Sequence, residues 1–205
     1  MKIMKFAITI SIVLSLTAVG TIYGKDMESF FNVVRPPTRN DYSGVTGIQF
    51  TMNDDTNVLA LGRPITTTFK QEHTLTLWDV ETEEIMTQAV VSPDSEQFEV
   101  KDGAFVYEML KSSVKLIKGK SYQLMSEEFA GGDNWATCYM AVPGVDMTDI
   151  ANIDGIPYGA VDVFPANFDA TVNKVDIGAT FFYGDASQAV SNSDKLSTTW
   201  GQLRR

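Results

Sequence analysis

Residues 47–52 read GIQFTM, and from Ile48 onward apolar and polar side chains alternate strictly. Successive side chains of a β-strand point to opposite faces of the sheet, so this alternation predicts a strand with one buried face. A second stretch, Thr74–Val80, is rich in leucine, threonine and tryptophan, and β-branched and aromatic residues favour strands. The two stretches together predict a β-sheet with one face on a hydrophobic core.

Short apolar segments recur along the chain between turns that contain Gly, Pro, Asp or Lys. Further strands are predicted at Val58–Leu61, Ile85–Val91, Phe105–Leu110, Val114–Ile117, Tyr122–Met125, Thr137–Val142, Tyr158–Phe164 and Val175–Tyr183. Such regular spacing of short strands is typical of β-sandwiches and barrels. No stretch predicts a helix of three turns, although Asp146 is suited to cap one helical turn over Met147–Ile150.

The N-terminus has the pattern of a secretory signal. Lys2 and Lys5 precede the apolar run Phe6–Leu16, and the small residues that follow permit cleavage after Gly20 or Gly24. We therefore expect a secreted or cell-envelope protein whose mature form is not embedded in the membrane. The alternative is an uncleaved anchor, because the apolar stretch approaches the roughly 18 residues that span a bilayer.

The predicted organisation has four parts. Residues 1–24 form the signal, 25–41 a lead-in segment, 42–184 one sandwich domain and 185–205 a polar tail. The sequence does not predict the oligomeric state.

The charge of the chain bears on its partners. There are 26 acidic and 16 basic residues, which gives a net charge of −10, and no run of basic residues exceeds two. Nucleic-acid affinity comes mainly from clustered lysine and arginine, so nucleic acid is not an expected partner.

Catalytic residue types are scarce. The sequence has one histidine, His73, and one cysteine, Cys138. Nucleophilic catalysis needs a base beside the nucleophile, and a structural zinc site needs several such ligands. We interpret His73 as structural and Cys138 as a buried thiol, and we expect a non-catalytic protein that requires no cofactor. A glycosidase with paired carboxylates is a minor alternative, because the abundance of acidic residues makes that signal unspecific.

The loop before Trp135 is the clearest candidate binding motif. Its glycines allow close approach, its carboxylate and amide can bond sugar hydroxyls, and the indole can stack on a pyranose face. The candidate carbohydrate site comprises Asp133, Asn134, Trp135, Tyr139 and Tyr158. The alternative is that Trp135 folds over the edge of the sandwich as a structural residue, as we expect for Trp78 in the core.

Calcium is a second candidate ligand, because it binds carboxylate, amide and carbonyl oxygens. One oxygen-rich loop contains Asn53, Asp54, Asp55 and Asn57, and another contains Asp146, Asp149, Asn152 and Asp154. Neither loop has the helix-loop-helix calcium pattern, and ordinary turns use the same residue types. Turn formation is therefore the alternative role for both loops.

Six motifs between Val45 and Tyr183 occur in the order and spacing of a known family. They are Val58–Gly62, His73–Asp79, Phe105–Tyr107, the hairpin Val114–Leu124, Gly132 with Asp133, and Gly178 with Phe181 and Phe182. In these motifs the chain resembles a bacterial family of secreted domains of unknown function, often found in proteins with Pro-Glu-Pro sorting tails. The resemblance implies an all-β, antiparallel, jelly-roll-like sandwich and no established activity.

The chain departs from that family in two places. Ala179 and Thr180 replace the usual Pro and Asn, and no apolar sorting helix follows. The second difference predicts release or non-covalent attachment instead of anchoring.

Two function classes remain open. One is a carbohydrate or surface-polymer binding module, and the other is a structural or protein-interaction domain of the cell envelope or matrix without a small ligand.

Overall fold

The computed structural model describes residues 27–33, 38–65, 69–100, 103–139, 145–147, 149–171 and 174–185. Every regular element in these ranges is a β-strand and none is a helix, so the prediction of an all-β chain is confirmed. The strands are β1 Glu28–Ser29, β2 Phe31–Val33, β3 Thr38–Arg39, β4 Gly44–Met52, β5 Thr56–Pro64, β6 His73–Asp79, β7 Glu84–Val91, β8 Glu96–Val100, β9 Gly103–Leu116, β10 Ser121–Glu128, β11 Trp135–Tyr139, β12 Val145–Met147, β13 Ala151–Gly159, β14 Asn167–Asp169, β15 Lys174–Ile177 and β16 Thr180–Tyr183.

Two large antiparallel sheets share one hydrophobic core. The five-stranded sheet has the order β1-β16-β5-β9-β8, and the six-stranded sheet has the order β14-β13-β4-β10-β6-β7. The chain passes repeatedly from one sheet to the other, so strands that pair are often distant in sequence. This arrangement confirms the predicted antiparallel β-sandwich. Two small sheets, β15-β11-β3 and β12-β2, complete the described strands.

Strand β4 confirms the alternation from which the fold was predicted. Ile48, Phe50 and Met52 are buried in the core, whereas Gln49 and Thr51 are half-buried on the other face. The polar face still forms hydrogen bonds: the Nε2 atom of Gln123 in β10 donates to Oε1 of Gln49 at 3.1 Å.

The lead-in segment contributes to the core, which its sequence did not predict. Phe30 and Phe31 are fully buried, and the Phe30 ring stacks on Phe181 with 4.5 Å between centroids. Strands β1, β2 and β3 have only two or three residues each, so they are too short to show an alternating pattern.

Two local predictions are wrong. The strand predicted at Tyr158–Phe164 lies earlier, as β13, because a register shift between Ile153 and Gly155 interrupts its alternation. The apolar residues after it belong to a loop, in which Phe164 packs edge-on against Trp78. The helical turn predicted at Met147–Ile150 is also absent from the described residues there: Val145–Met147 pairs with β2 as β12.

The strand predicted at Val175–Tyr183 is two strands in different sheets. The chain leaves the β15 sheet at Gly178 and enters the five-stranded sheet as β16. A side chain at Gly178 would clash, because a Cβ atom would lie 2.7 Å from Oε1 of Glu128. Conversely, the two strands predicted between Phe105 and Ile117 form the single long strand β9, and β8 was not predicted. The predicted signal and the tail from residue 186 lie outside the described residues.

Candidate functional site

An open cavity of about 470 Å³ lies where the β15-β11-β3 sheet meets the edge of the six-stranded sheet. We call it the side cavity. Its aromatic lining comprises Tyr42, Trp135, Tyr158 and Phe168. Its charged lining comprises Arg39, Asp169, Lys174 and Asp176, and Thr46 and Ile156 complete it.

Strand register explains why these residues share one cavity. Directly paired residues of antiparallel strands project to the same face of a sheet. Trp135 pairs with Arg39, and Thr137 pairs with Asp176, so these four positions lie on one face of the small sheet. Tyr158 pairs with Thr46 on the opposing wall, which belongs to β13 and β4. Strand pairing within each sheet, together with the packing of β15 against β4, therefore brings residues distant in sequence to one cavity.

Trp135 lines the side cavity and is only 1% exposed. We therefore describe its buried ring as the floor of the cavity. The guanidinium carbon of Arg39 lies 5.8 Å from the centre of its ring, within the range of a cation–π interaction. Its Nε1 atom is buried and has no hydrogen-bond acceptor among the described residues. The more accessible rings of the lining are those of Phe168 and Tyr158, which are 43% and 41% exposed.

Asp176 places a buried carboxylate at the side cavity. The residue is 5% exposed, and its two oxygens accept hydrogen bonds from the hydroxyls of Thr137 at 2.6 Å and Thr46 at 3.3 Å. No lysine or arginine of the described residues lies within ion-pair distance of it. Its hydrogen bonds therefore come from neutral hydroxyls, while its charge contributes at longer range to the raised pKa of Arg39.

The other charged residues of the side cavity are paired. Lys174 Nζ lies 3.1 Å from Oδ2 of Asp169, and Arg39 Nε donates to Oδ1 of Asp41 at 2.9 Å. Hydrogen bonds from the hydroxyl and backbone N–H of Thr171, together with Lys174, lower the pKa of Asp169 to about 2. The hydrogen bond to Asp41 raises the pKa of Arg39, against the opposing effect of burial.

Of the residues predicted to bind carbohydrate, the structure brings Trp135 and Tyr158 together at the side cavity. Tyr139 lies in β11 and pairs with Lys174, but its side chain is outside the described part of the structure. The amide of Asn134 donates to Oγ1 of Thr38 at 3.0 Å instead of lining the cavity.

Asp133 is also directed away from the side cavity. It is 3% exposed, and its Oδ2 accepts the backbone N–H groups of Lys70 at 2.7 Å and Gln71 at 2.8 Å. Burial alone would raise the pKa of Asp133, but these two hydrogen bonds and the nearby His73 lower it overall. Through these hydrogen bonds, Asp133 connects the loop before Trp135 to the backbone at Lys70 and Gln71.

Behind that loop lies a buried polar cluster of Arg63, His73, Ser126, Glu128 and Asp133. Arg63 is fully buried in β5 and forms a two-pronged ion pair with Glu128 of β10, which links the two large sheets. Arg63 also donates to the carbonyl oxygens of Gly178 and Asn134, both at 3.2 Å. Sequence reasoning missed this cluster, and its one visible signal is a lone arginine after the apolar run Val58–Leu61.

His73 is fully buried within the cluster. Its Nδ1 atom donates to the carbonyl oxygen of Glu127 at 2.6 Å, and its Nε2 atom lies 3.4 Å from Oδ2 of Asp133. Burial, with the charge of Arg63, lowers the pKa of His73, whereas burial raises the pKa of Glu128 against the effect of Arg63. These contacts agree with the interpretation of His73 as structural.

The two predicted calcium loops lie beside each other. The side-chain amide of Asn53 donates to the carbonyl oxygen of Asp149 at 2.8 Å and accepts from Asn152 at 2.8 Å. The carboxylates of the first loop form ion pairs with lysines. Asp54 lies 3.4 Å from Lys118 Nζ, and Asp55 lies 2.8 Å from Lys115 Nζ.

Within the described ranges, no group of three or more His, Cys, Asp or Glu residues is arranged to hold a metal ion. Asn57 lies in β5, Asp154 accepts a hydrogen bond from Thr51, and the side chain of Asp146 is outside the described residues. Calcium binding stays a prediction.

Compared with known proteins, the chain matches no family model and no curated protein sequence. The family resemblance therefore stays a prediction. Among the residues that the structure describes, no helix is long and apolar enough to cross a membrane. Fold and site together define the chain as an antiparallel β-sandwich with an open cavity beside a small third sheet.

Proposed function

We propose that this protein is a non-catalytic module of the cell exterior or envelope that binds carbohydrate or a surface polymer in the side cavity. One observation carries the proposal. The side cavity combines an aromatic floor, Trp135, and an exposed ring, Tyr158, with a buried carboxylate, Asp176.

This combination suits a sugar ring. A pyranose has apolar C–H faces that stack on aromatic rings, and hydroxyls that need fixed polar partners. An ionised carboxylate offers about four lone-pair sites, and the hydroxyls of Thr46 and Thr137 occupy two of those of Asp176. The volume of about 470 Å³ lies within the range of small-ligand sites, roughly 300–1,000 Å³. The side cavity therefore has the size and chemistry to hold one sugar unit of a longer polymer.

The lowered pKa of Asp169 supports binding without catalysis. Hydrolysis of a glycosidic bond needs a carboxylic acid with a raised pKa that protonates the leaving oxygen. The pKa of Asp169 is lowered to about 2, so this residue is a poor proton donor at neutral pH. Glu128 has a raised pKa, but its carboxylate is fully buried against Arg63 behind the Trp135 loop.

The test is a glycan array with the parent protein, followed by titration of any bound glycan with the variant Tyr158→Ala. Stacking on an aromatic ring contributes about 1–3 kcal/mol, so we expect micromolar or weaker binding by the parent and a loss of about 5- to 150-fold in the variant. Val163→Ala is the matched control, because Val163 is 60% exposed and does not line the side cavity. Unchanged binding in Tyr158→Ala, or no glycan bound by the parent, would contradict the proposal.

A structural or protein-interaction role is the second candidate. The observation that favours it is the exposure of Val161 and Val163 in one loop, at 38% and 60%. Exposed apolar side chains close together in one loop are suited to contact another protein. In that case the parent binds no glycan, and changing both valines to serine weakens its association with envelope proteins in cross-linking experiments.

A further inference from the structure

We propose that the side cavity selects a sugar with a free ammonium group, an amino sugar, and that Asp176 makes this selection. The inference rests on the carbohydrate-binding function proposed above and specifies its ligand class.

The balance of charge in the side cavity leads to this conclusion. Lys174 is paired with Asp169, and Arg39 is paired with Asp41. Asp176 is only 5% exposed and has no cation within ion-pair distance among the described residues, although its charge acts on Arg39 at longer range. Buried charges in proteins are normally paired or bound to metal ions. Among the charged residues that line the side cavity, Asp176 is therefore the one with no ion pair in the described part of the structure.

The position of the Asp176 carboxylate is fixed before any ligand arrives. The hydroxyl of Thr137 holds one of its oxygens, and the hydroxyl of Thr46 holds the other. These two threonines come from β11 and β4, which belong to opposite walls of the side cavity. A fixed charge in a partly dehydrated site attracts an opposite charge several-fold more strongly than in bulk water. An ammonium group bound there gains an ion pair at little cost in ordering the protein.

The aromatic lining accepts a cation as well. Arg39 already lies over the Trp135 ring, so this environment accommodates a positive charge beside an aromatic face. The exposed ring of Tyr158 offers a further face to a ligand. An amino sugar supplies an ammonium group for Asp176 and a C–H face for Tyr158 in one ring.

Other sugars lack one of these contacts. A neutral or N-acetylated sugar can stack on Tyr158 and donate hydroxyl hydrogen bonds, but it forms no ion pair. A uronic acid would bring a second carboxylate near Asp176, and like charges repel. The expected order of affinity is amino sugar, then neutral or N-acetylated sugar, then uronic acid.

The experiment compares oligomers of glucosamine, N-acetylglucosamine and galacturonic acid of equal length, by calorimetric titration at mildly acidic pH, where the amino groups of the glucosamine oligomer are protonated. We expect the glucosamine oligomer to bind the parent at least tenfold more tightly than the N-acetylated one, and high salt to reduce this preference. The variant Asp176→Asn keeps the shape of the side chain and removes the charge. It should bind the glucosamine and N-acetylglucosamine oligomers equally.

Asp94→Asn is the matched control, since it makes the same change at an exposed turn outside the side cavity. It should keep the full preference. The preference of the parent and its dependence on salt test the inference even if Asp176→Asn folds poorly.

Two failures can be told apart. If no oligomer and no array glycan binds the parent, both the proposed function and its selectivity are overturned. If the parent binds glycans but does not prefer the amino form, or if Asp176→Asn keeps the preference, only the selectivity is overturned.

Discussion

Arg63 is unusual because a fully buried guanidinium in a strand needs a complete set of partners. Its two terminal nitrogens bond to Glu128, Ser126 and two backbone carbonyls. Its Nε atom has no acceptor among the described residues. Removing one partner of a buried ion pair typically costs about 3–5 kcal/mol, because the remaining charge is left uncompensated. The pair therefore makes the end of the sandwich near Trp135 dependent on one charge-matched contact between the sheets.

His73, another single residue, leads to a prediction about how the free energy of unfolding depends on pH. Its pKa in the folded state is lowered from the ordinary value of 6.5, so the unfolded chain binds more protons just below that pH. The contribution of His73 to the free energy of unfolding is fully present above pH 6.5 and is lost as the pH falls. Denaturant unfolding at pH 7.5, 6.5 and 5.5 measures this loss.

The control for this prediction is His73→Gln, because His73 is the only histidine in the chain. Glu128 has the opposite effect on the pH dependence of stability, because its raised pKa makes the folded state more stable as the pH falls. The difference between parent and variant isolates the histidine. A parent and a variant with the same pH dependence between 7.5 and 5.5 would refute the prediction.

Only part of the candidate site could be predicted from the sequence. Trp135 and Tyr158 stand out as aromatic residues in suitable contexts, and both line the side cavity. Arg39, Thr46 and Asp176 carry no local sequence signal. They come together because β11 pairs with β3 and β15, and because β15 packs against β4. Asp133 was misleading: a carboxylate in a glycine-rich loop resembles a ligand group, but here it holds backbone amides.

At the scale of elements, Gly62 in β5 gives the sharpest prediction. It pairs with Tyr107 of β9, and a Cβ atom at Gly62 would lie 2.3 Å from that ring. The ring cannot move aside, since it stacks on Phe182 at 3.8 Å and its hydroxyl lies 2.7 Å from that of Ser29. Overpacking of this kind costs about 1–3 kcal/mol, so Gly62→Ala should lower the free energy of unfolding by that amount in urea.

Gly159→Ala is the matched control for Gly62→Ala. The nearest atom to a Cβ at Gly159 is the Cα of Pro165 at 3.4 Å, which is an ordinary contact. It should unfold at nearly the same urea concentration as the parent. Equal stability of Gly62→Ala and the parent would show that the strands separate to admit the methyl group.

Strands of regular alternation were predictable, and interrupted ones were not. β4 follows period two from Ile48 to Met52, so sequence and structure agree on this strand. β13 contains a register shift, and the Val175–Tyr183 segment changes sheets at Gly178. Both features depend on neighbouring strands, which a local pattern does not contain.

At the scale of the whole molecule, the predicted signal leads to a test of export. We predict that the exported chain begins between Thr21 and Lys25, because small residues at Gly20 and Gly24 suit cleavage. Either cut leaves β1, which starts at Glu28, and the buried Phe30 intact. N-terminal sequencing of the exported protein measures the start. Recovery of an intact Met1 in the membrane fraction would instead identify the segment as an anchor.

The pairing of β1 with β16 has a consequence for the order of events during biosynthesis. Glu28 faces Tyr183 and Ser29 faces Phe182, so the two ends of the described domain complete one sheet. The first strand of the described residues thus cannot pair until the last one has been synthesised, and a half-made chain leaves the ring of Phe30 without its stacking partner Phe181. We therefore expect the described domain to complete its fold only after β16 has been synthesised.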